Sequence, residues 1–209
     1  MAKPMSKSKV VAYLADKCGT PKKTAAAFFE ELFTTCVELM TVLHELPQPV
    51  IAKVHGVATA AGCQLVAACD LAVASDDARF ATPGVDIGLF CSTPMVPVAR
   101  AVGRKRALEM LFTGEMIDAP TALEWGLVNR VVPRAQLDAA VDALAGQLAT
   151  SSPYVLALGK RAFYAQDALT EAAAYGVTEP VMVANAQADD AEEGMLAFLQ
   201  KRKPVWRNR

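Results

Sequence analysis

The stretch PVIAKVHGVATAAGCQLVAACDLAVA, residues 49–74, indicates the fold of this chain. Residues 49–55 are mostly apolar and open on a proline, which is typical of a buried strand. Small residues fill the loop 56–62, a short helix is expected over 63–69, and a second apolar strand over 70–74. A strand, a short helix and another strand predict a parallel crossover unit of an α/β fold.

Helical patterns flank this unit on both sides. Ser6 is a candidate N-cap for a first helix that Gly19 ends, and a long second helix is expected from Thr20 to Pro47. Its apolar stripe consists of Phe28, Leu32, Leu39, Leu43 and Leu46. Downstream we expect strands over 79–82 and 129–132, helices near 94–102, 104–113 and 118–125, and helices from residue 134 onward with breaks near 151–153 and Gly194.

This pattern divides the chain into three parts. Residues 1–46 are N-terminal helices, residues 47–133 form the core, and residues 134–209 form a C-terminal helical region. That last region carries apolar stripes that exceed the needs of one face, which indicates a surface for a partner subunit. The stripes consist of Val155, Leu158, Phe163, Tyr164, Val181, Met182 and Val183.

Composition excludes several classes of protein. The chain has 209 residues, of which 53% are hydrophobic, so it can bury a core and is not disordered. A net charge of −1 gives no overall field for nucleic acid or anionic lipid. Five cysteines without a C-x-x-C pair and two histidines favour neither disulfides nor zinc, and they fit a reducing cytoplasm. No apolar stretch is long and uncharged enough for a membrane span.

The loop 56–62 runs directly into the start of a helix, where unpaired backbone N–H groups carry a partial positive charge. Ala60, Ala61 and Gly62 are small enough to let a ligand oxygen approach the backbone. An oxyanion or a thioester carbonyl could be bound there without a charged side chain. The competing interpretation is a close-packed turn from strand to helix, and the residues alone favour it.

Seven segments in order resemble the enoyl-CoA hydratase/isomerase (crotonase) family. They are PQPVIAKVHG (47–56), AAGCQL (60–65), CDLA (69–72), ARFATPG (78–84), LFTGE (111–115), ALEWGLV (122–128) and EG with AFLQKRKP (193–204). The resemblance covers about residues 28–206, and PGVDIGLFCSTP (83–94) favours one branch of the family.

The resemblance implies a crotonase-like spiral core, shortened at its N-terminal part, and a helical C-terminal region that builds a homo-trimer or hexamer. It implies an acyl-CoA thioester as substrate or ligand, with no separate cofactor and no metal. The backbone N–H of Ala61, beside Gly62, would form half of an oxyanion hole, and Ala60, Ala61 and Lys201 would contact the CoA ligand. The upstream F-x-A-G-x-D pattern that supplies the other half is absent from this sequence.

Both acid/base positions of the family differ here, since Gln64 and Gly84 stand where glutamates are expected. Water addition needs a base and an acid, and neither an amide nor a glycine supplies one. Asp86 is the first substitute, followed by Asp70 and Glu115, although Asp70 is more typical of a backbone cap. The two other reactive side chains near these segments are interpreted as a satisfied core histidine and a packing thiol: His55 and Cys91.

The predicted function is therefore a family protein that binds an acyl-CoA thioester, with hydratase chemistry in doubt. Whether the chain is a lyase, an isomerase or inactive stays open. One alternative is a non-catalytic acyl-CoA-binding or interaction subunit. Another is weak nucleic-acid binding by residues 5–31, which resemble the opening helix pair of HU-type histone-like proteins; residues 1–23 carry a net charge of +5. That family's β-arms are absent, so we expect an amphipathic helix pair rather than a nucleic-acid partner.

Overall fold

The computed structural model describes residues 7–209, apart from the side chains of Lys7, Phe29 and Phe33. The predicted cap Ser6 lies outside the described residues. In chain order the elements are α1 (Lys7–Cys18), α2 (Lys22–Glu45), β1 (Ile51–Val54), β2 (Val57–Thr59), α3 (Ala61–Ala68), β3 (Leu71–Ser75), β4 (Arg79–Ala81), a 3₁₀ turn (Pro83–Ile87), α4 (Met95–Val102), α5 (Arg104–Thr113), β5 (Ile117–Asp118), α6 (Ala119–Trp125), β6 (Arg130–Val132), a second 3₁₀ turn (Arg134–Gln136), α7 (Leu137–Ala149), α8 (Pro153–Gln166), α9 (Glu171–Ala186) and α10 (Asp189–Leu199).

Two three-stranded sheets form the centre of the α/β fold. The first has the order β1-β3-β6, and all its neighbours are parallel, with Ile51 opposite Leu71. The predicted crossover unit is thereby confirmed, because the chain passes from β1 through β2 and α3 to β3, which pairs in parallel with β1. The second sheet has the order β2-β4-β5. Its strand β2 corrects the prediction of a loop over 56–62, because Val57 and its two successors pair with β4.

Small side chains dominate the main core. Phe80, Met110 and Leu111 are its largest fully buried apolar side chains. Alanines fill much of the space around them and allow strands and helices to approach closely. These buried alanines are Ala58, Ala72, Ala74, Ala78, Ala107, Ala119 and Ala122. The result is a dense support for the short strands and for α3, which projects from the end of β2.

Capping residues predict the ends of α6 correctly, whereas a glycine wrongly predicts a break within α10. The Asp118 carboxylate accepts a hydrogen bond from the N–H of Thr121 at 2.9 Å, and Gly126 ends the helix at φ 86°, as predicted. The predicted break at Gly194 is wrong, because this residue lies inside α10. A Cβ atom there would lie 3.5 Å from the ring of Trp206, so the glycine makes room for the C-terminal tail.

The two N-terminal helices pack on each other through Val11, Ala15 and Ala25. Helix α2 also contacts α3 and α8, as expected of a pair that covers the body of the fold. Among its described side chains, α2 buries Ala25 against α1 and Met40 farther along the helix, whereas most of the predicted stripe is exposed. Lys9, Lys17, Lys22 and Lys23 are exposed or nearly so, and weak nucleic-acid contact through them stays a prediction.

The C-terminal tail folds back onto α10. Glu193 accepts two hydrogen bonds from the Arg202 guanidinium and a third from the backbone N–H of Val205. Asp190 is fully buried and accepts hydrogen bonds from Ser152 and from the backbone of the tail. Across residues 7–209, no helix combines the length and apolar character that a membrane span requires.

Candidate functional site

A sharp backbone turn places the start of α3. Ala60 adopts φ 49° and ψ −115°, a region that favours glycine and strains any other residue. Its N–H donates to the carbonyl of Ala81 at 3.0 Å, and its own carbonyl accepts from the N–H of Gln64 at 2.9 Å. The strained residue is therefore held from both sides, by β4 and by the first turn of the helix.

The first turn of α3 presents backbone donors without competition from a side chain. No side chain caps the helix, and its own carbonyls cannot reach the N–H groups of Ala61 and Gly62. Ala61 is exposed and Gly62 is half-buried, and a Cβ atom on Gly62 would meet nothing within 4 Å. This open helix start can accept an oxygen that carries partial negative charge.

A cavity of about 860 Å³ lies between α2, α3, α4 and α8. Gln64, one turn beyond the helix start, is only 3% exposed and lines it. Its side-chain amide makes no hydrogen bond within the described part of the chain. Because a helix rises 1.5 Å per residue, Gln64 lies only about 5 Å along the axis from Ala61. The cavity thus begins close to the backbone donors, although Ala61 itself does not line it.

Packing explains why Gly84 carries no side chain. The residue is buried in the 3₁₀ turn that follows β4. A Cβ atom there would lie 2.9 Å from the Cys91 sulfur and 2.9 Å from the Leu89 carbonyl oxygen, closer than real Cβ contacts. A glutamate cannot enter this position without moving the backbone. Next to it, the hydroxyl of Thr82 is buried and has no hydrogen-bond partner among the described residues.

Of the three proposed substitutes for the missing glutamates, Asp70 lines the cavity and the other two do not. Asp86 is exposed, and its carboxylate oxygens lie 3.1 and 3.2 Å from where a Cβ on Gly114 would be, at the end of α5. Among residues 7–209, those lining the cavity include neither Asp86 nor Glu115. Lys201 lies in the tail beyond α10, where its N–H donates to Phe198, and it does not line the cavity either. The structure therefore groups Ala60, Ala61, Gly62 and Gln64 and leaves these three apart.

The predictions for Cys91 and His55, both interpreted as buried residues without a catalytic role, have different outcomes. Cys91 is buried against Gly84, and the prediction of a packing role is confirmed. Burial raises the pKa of its neighbour Cys63 to about 12, with a further contribution from Cys91, so Cys63 stays a thiol at neutral pH. The interpretation of His55 as a core histidine is wrong. It is exposed beyond the end of β1, where its charge helps to lower the pKa of Asp138 after the larger effect of Lys53.

The opposite end of α3 holds a polar network that sequence reasoning missed. The Lys160 ammonium lies 2.6 Å from the Asp70 carboxylate and also donates to the carbonyls of Leu43 and Gln48. Asp70 accepts from the N–H of Val50 at 2.6 Å, which confirms its predicted capping role. Four elements meet here: the end of α2, the starts of β1 and β3, and α8. No local signal announces the pair, because Asp70 and Lys160 are 90 residues apart in the chain.

Two aromatic rings complete this network and reach the cavity. The Tyr164 hydroxyl donates to Asp70 at 2.8 Å, and burial, followed by the bond to this carboxylate, raises the pKa of Tyr164. His44 stacks on Tyr164 with ring centroids 4.0 Å apart, and its Nε2 donates to the Ala68 carbonyl at 3.0 Å. Burial, followed by the charge of Asp70, also raises the pKa of Cys69. Titratable groups of the cavity wall thus cluster at the C-terminal end of α3.

The described residues hold no cluster of histidine, cysteine and carboxylate side chains suited to a metal ion. This finding does not test the expectation that the ligand binds without a metal ion. What the arrangement offers chemically is a helix start with free backbone donors and an adjoining cavity whose lining carboxylates are Asp70 and Asp167.

The sequence profile of the enoyl-CoA hydratase/isomerase family matches residues 19–209. The mitochondrial enoyl-CoA hydratase domain-containing protein 3 of Xenopus laevis is 57% identical over 176 residues, or 84% of this chain and 60% of the relative. The human protein of that name is 54% identical over 179 residues, or 86% of this chain and 59% of the relative. These relatives represent the branch that residues 83–94 indicate. The chain spans about three fifths of their length.

Solved structures agree with these relatives. The crystal structure of the human protein superposes with a TM-score of 0.85 at 53% identity, covering 89% of this chain and 74% of that one. An enoyl-CoA hydratase from Mycobacterium smegmatis gives 0.84 at 49% identity, covering 86% and 70%. The predicted crotonase-like fold is confirmed. The predicted cytoplasmic location is contradicted, because the relatives from Xenopus laevis, rat and man are named as mitochondrial.

Proposed function

Because the chain belongs to the enoyl-CoA hydratase/isomerase family, we propose that it binds an acyl-CoA thioester at the start of α3 and hydrates it poorly or not at all. The observation that carries this proposal is the pair of backbone N–H groups at Ala61 and Gly62 beside the cavity that begins at Gln64. The CoA thioester is itself the ligand, so no separate cofactor enters the proposal.

The thioester carbonyl oxygen accepts hydrogen bonds from the first turn of α3 in this proposal. The helix dipole adds a partial positive charge at the same place, and no neighbouring side chain competes for it. The acyl chain then enters the cavity past Gln64, where Met40, Val96 and Ala67 offer apolar surface. The open volume beside Gly62 lets the sulfur and its substituents approach the backbone closely.

Hydration lacks its two proton carriers. General acid and base groups contribute typically about 10²–10⁴-fold each. The buried Gln64 amide neither accepts nor releases a proton at neutral pH, and Gly84 has no room for a side chain. Asp86 does not reach the cavity. The proposal therefore favours a protein that holds or polarises a thioester over one that adds water to it.

We also propose that copies of the chain associate through the C-terminal helices, as a trimer. Phe163 of α8 is 56% exposed, and Met182 and Val183 of α9 are exposed as well. Within the described residues nothing covers these side chains, and α9 has no buried residue of its own. The relatives' names support a mitochondrial location for this chain too.

The direct experiment removes one backbone donor at the helix start. Proline is tolerated in a first helical turn, as Pro120 shows in α6, and it has no N–H. We expect Gly62→Pro to weaken acetyl-CoA binding about tenfold or more in calorimetry, as loss of a hydrogen bond to a polarised carbonyl does. Gly62→Ala is the matched control, because it keeps the N–H and places its Cβ in open space.

A crotonyl-CoA hydration assay beside this titration separates binding from turnover. Binding without turnover supports the proposal. Efficient hydration would show that an acid and a base have been overlooked. Equal affinities of Gly62→Pro and Gly62→Ala would show that the Gly62 N–H does not bind the thioester.

A further inference from the structure

Helix α2 has two apolar faces on opposite sides. One face meets the body of the fold: Met40 is buried, and Val37, Thr41 and His44 line the cavity. At 100° per residue, the other face lies about half a turn away from this one. Within the described part of the chain, nothing covers that outer face.

The outer face follows a heptad pattern. Its positions are spaced alternately by four and three residues, and its five apolar side chains are between 38% and 67% exposed. We name this set the α2 seam: Phe28, Leu32, Thr35, Leu39, Val42 and Leu46. Apolar residues that alternate at three and four are the pattern by which helices pair side by side, because each such residue inserts between four residues of the facing helix. A helix on a monomer surface has no reason to keep it.

A row of carboxylates borders the α2 seam on one side. Glu31, Glu38 and Glu45 are spaced by seven residues, are all exposed, and occupy the heptad position next to the leucines. The other border carries Cys36 and Leu43, which have no charge. In paired helices, residues at these bordering positions face the partner and select it by charge.

These borders do not suit a second copy of α2. An antiparallel pair of copies would bring the two rows of glutamates together, and like charges across a seam disfavour pairing. A parallel pair would place each row against uncharged Cys36 and Leu43, which leaves the carboxylates unmatched. A helix with lysine or arginine in its own bordering positions matches the row.

We propose that the α2 seam is the docking surface for an amphipathic helix of a different protein, one with an apolar heptad seam bordered by basic residues. This surface is separate from the thioester site, since it lies on the far side of α2 from the cavity. Docking therefore leaves the helix start of α3 open.

A synthetic probe tests this on the full chain. The probe is an amphipathic helix of about 21 residues with leucine in the seam positions and lysine in the bordering ones. A second probe carries glutamate instead of lysine. We expect the lysine probe to bind in fluorescence anisotropy, and the glutamate probe to bind about tenfold or more weakly. The difference between the probes shrinks at high salt, because salt screens exposed charges.

Variants of exposed residues locate the binding surface. Replacing Leu32 and Leu39 by serine should weaken the lysine probe about tenfold or more, since central apolar contacts dominate such interfaces. Phe112→Ser is the control, because Phe112 is also an exposed apolar residue but lies on α5. The double replacement Glu31→Lys and Glu38→Lys should reverse the preference toward the glutamate probe. That reversal cannot come from unfolding.

Two results would overturn the proposal. One is equal affinity of both probes in every variant, which would remove the charge selection. The other is self-association of the chain that Leu39→Ser abolishes in sedimentation equilibrium, which would make a second copy the occupant of the α2 seam.

Discussion

The two ends of α3 offer different chemical groups. The N-terminal end offers only backbone at Ala60, Ala61 and Gly62, with no titratable side chain. The C-terminal end, about 12 Å away along an eight-residue helix, holds the carboxylate of Asp70 with the ammonium of Lys160. The charged groups stabilise the fold at one end, whereas the proposed thioester site at the other end relies on backbone N–H groups and the helix dipole. Proton transfer, which needs a titratable group beside the ligand, has no such group at the N-terminal end.

Breaking the charged end should give the largest effect. Lys160→Met leaves the Asp70 carboxylate without its cation in a nearly buried place, where loss of one partner typically costs about 3–5 kcal/mol of unfolding free energy. The check is urea denaturation at neutral pH. Lys53→Met is the control, because the ion pair of Lys53 with Asp138 is exposed and water screens it, so its loss should change the unfolding free energy little. Equal losses in both variants would contradict a special role of the buried pair.

Filling the position of the missing glutamate should give the next largest effect. We expect Gly84→Ala to destabilise the chain by about 1–3 kcal/mol, as overpacking does, because its Cβ would meet the Cys91 sulfur and the Leu89 carbonyl. Gly146→Ala, in the open middle of α7, should instead stabilise the chain by roughly 0.5–1 kcal/mol. Thermal unfolding of both variants measures the contrast. A neutral Gly84→Ala would mean that space for a side chain exists after all.

The outward face of α8 extends the comparison. One side of this helix contributes Lys160 and Tyr164 to the charged end of α3, and the other side faces solvent. Charged substitution at Phe163 should lower the oligomeric state in sedimentation velocity, since it puts a charge on the exposed apolar stripe. Lys22→Glu, on α2, should leave the oligomeric state unchanged. If both variants or neither alter the sedimentation, the C-terminal helices do not form the main interface.

Alkaline pH should weaken the charged end selectively. Burial and the bond to Asp70 raise the pKa of Tyr164 above its ordinary value of 10.0, so the folded chain keeps this proton longer than the unfolded one. The stability that this provides is present below about pH 10 and is lost as the pH rises further. In denaturation series on either side of pH 10, Tyr164→Phe should lose less stability than the parent chain. Parallel pH profiles would contradict the assignment.

The smallest effect is expected at the other end of α3. Gln64→Glu restores one carboxylate beside the cavity, yet we expect crotonyl-CoA hydration to stay within about tenfold of the parent rate, since the second group is still missing. A hydration assay under saturating substrate is the check. A gain of several hundredfold would mean that another residue already supplies the second proton carrier.

Local patterns predicted the crossover unit and the ends of α6, because each depends on neighbouring residues. They also indicated that Asp70 caps backbone, but not that its partner is Val50, 20 residues earlier. They missed β2, whose three residues become a strand only through pairing with β4. They placed His55 in the core, although the chain exposes it just after β1. The sequence displays a glycine at 84 but not the contacts that require it, and those contacts appear only once the turn after β4 is folded.

The most direct test of the account is a crystal structure of this chain with acetyl-CoA. We expect the thioester oxygen within about 2.7–3.1 Å of the backbone nitrogens of Ala61 or Gly62, with the acyl group directed toward Gln64. A thioester bound instead beside His44 and Tyr164, at the C-terminal end of α3, would contradict the account. So would an empty helix start at a ligand concentration that saturates the protein in calorimetry.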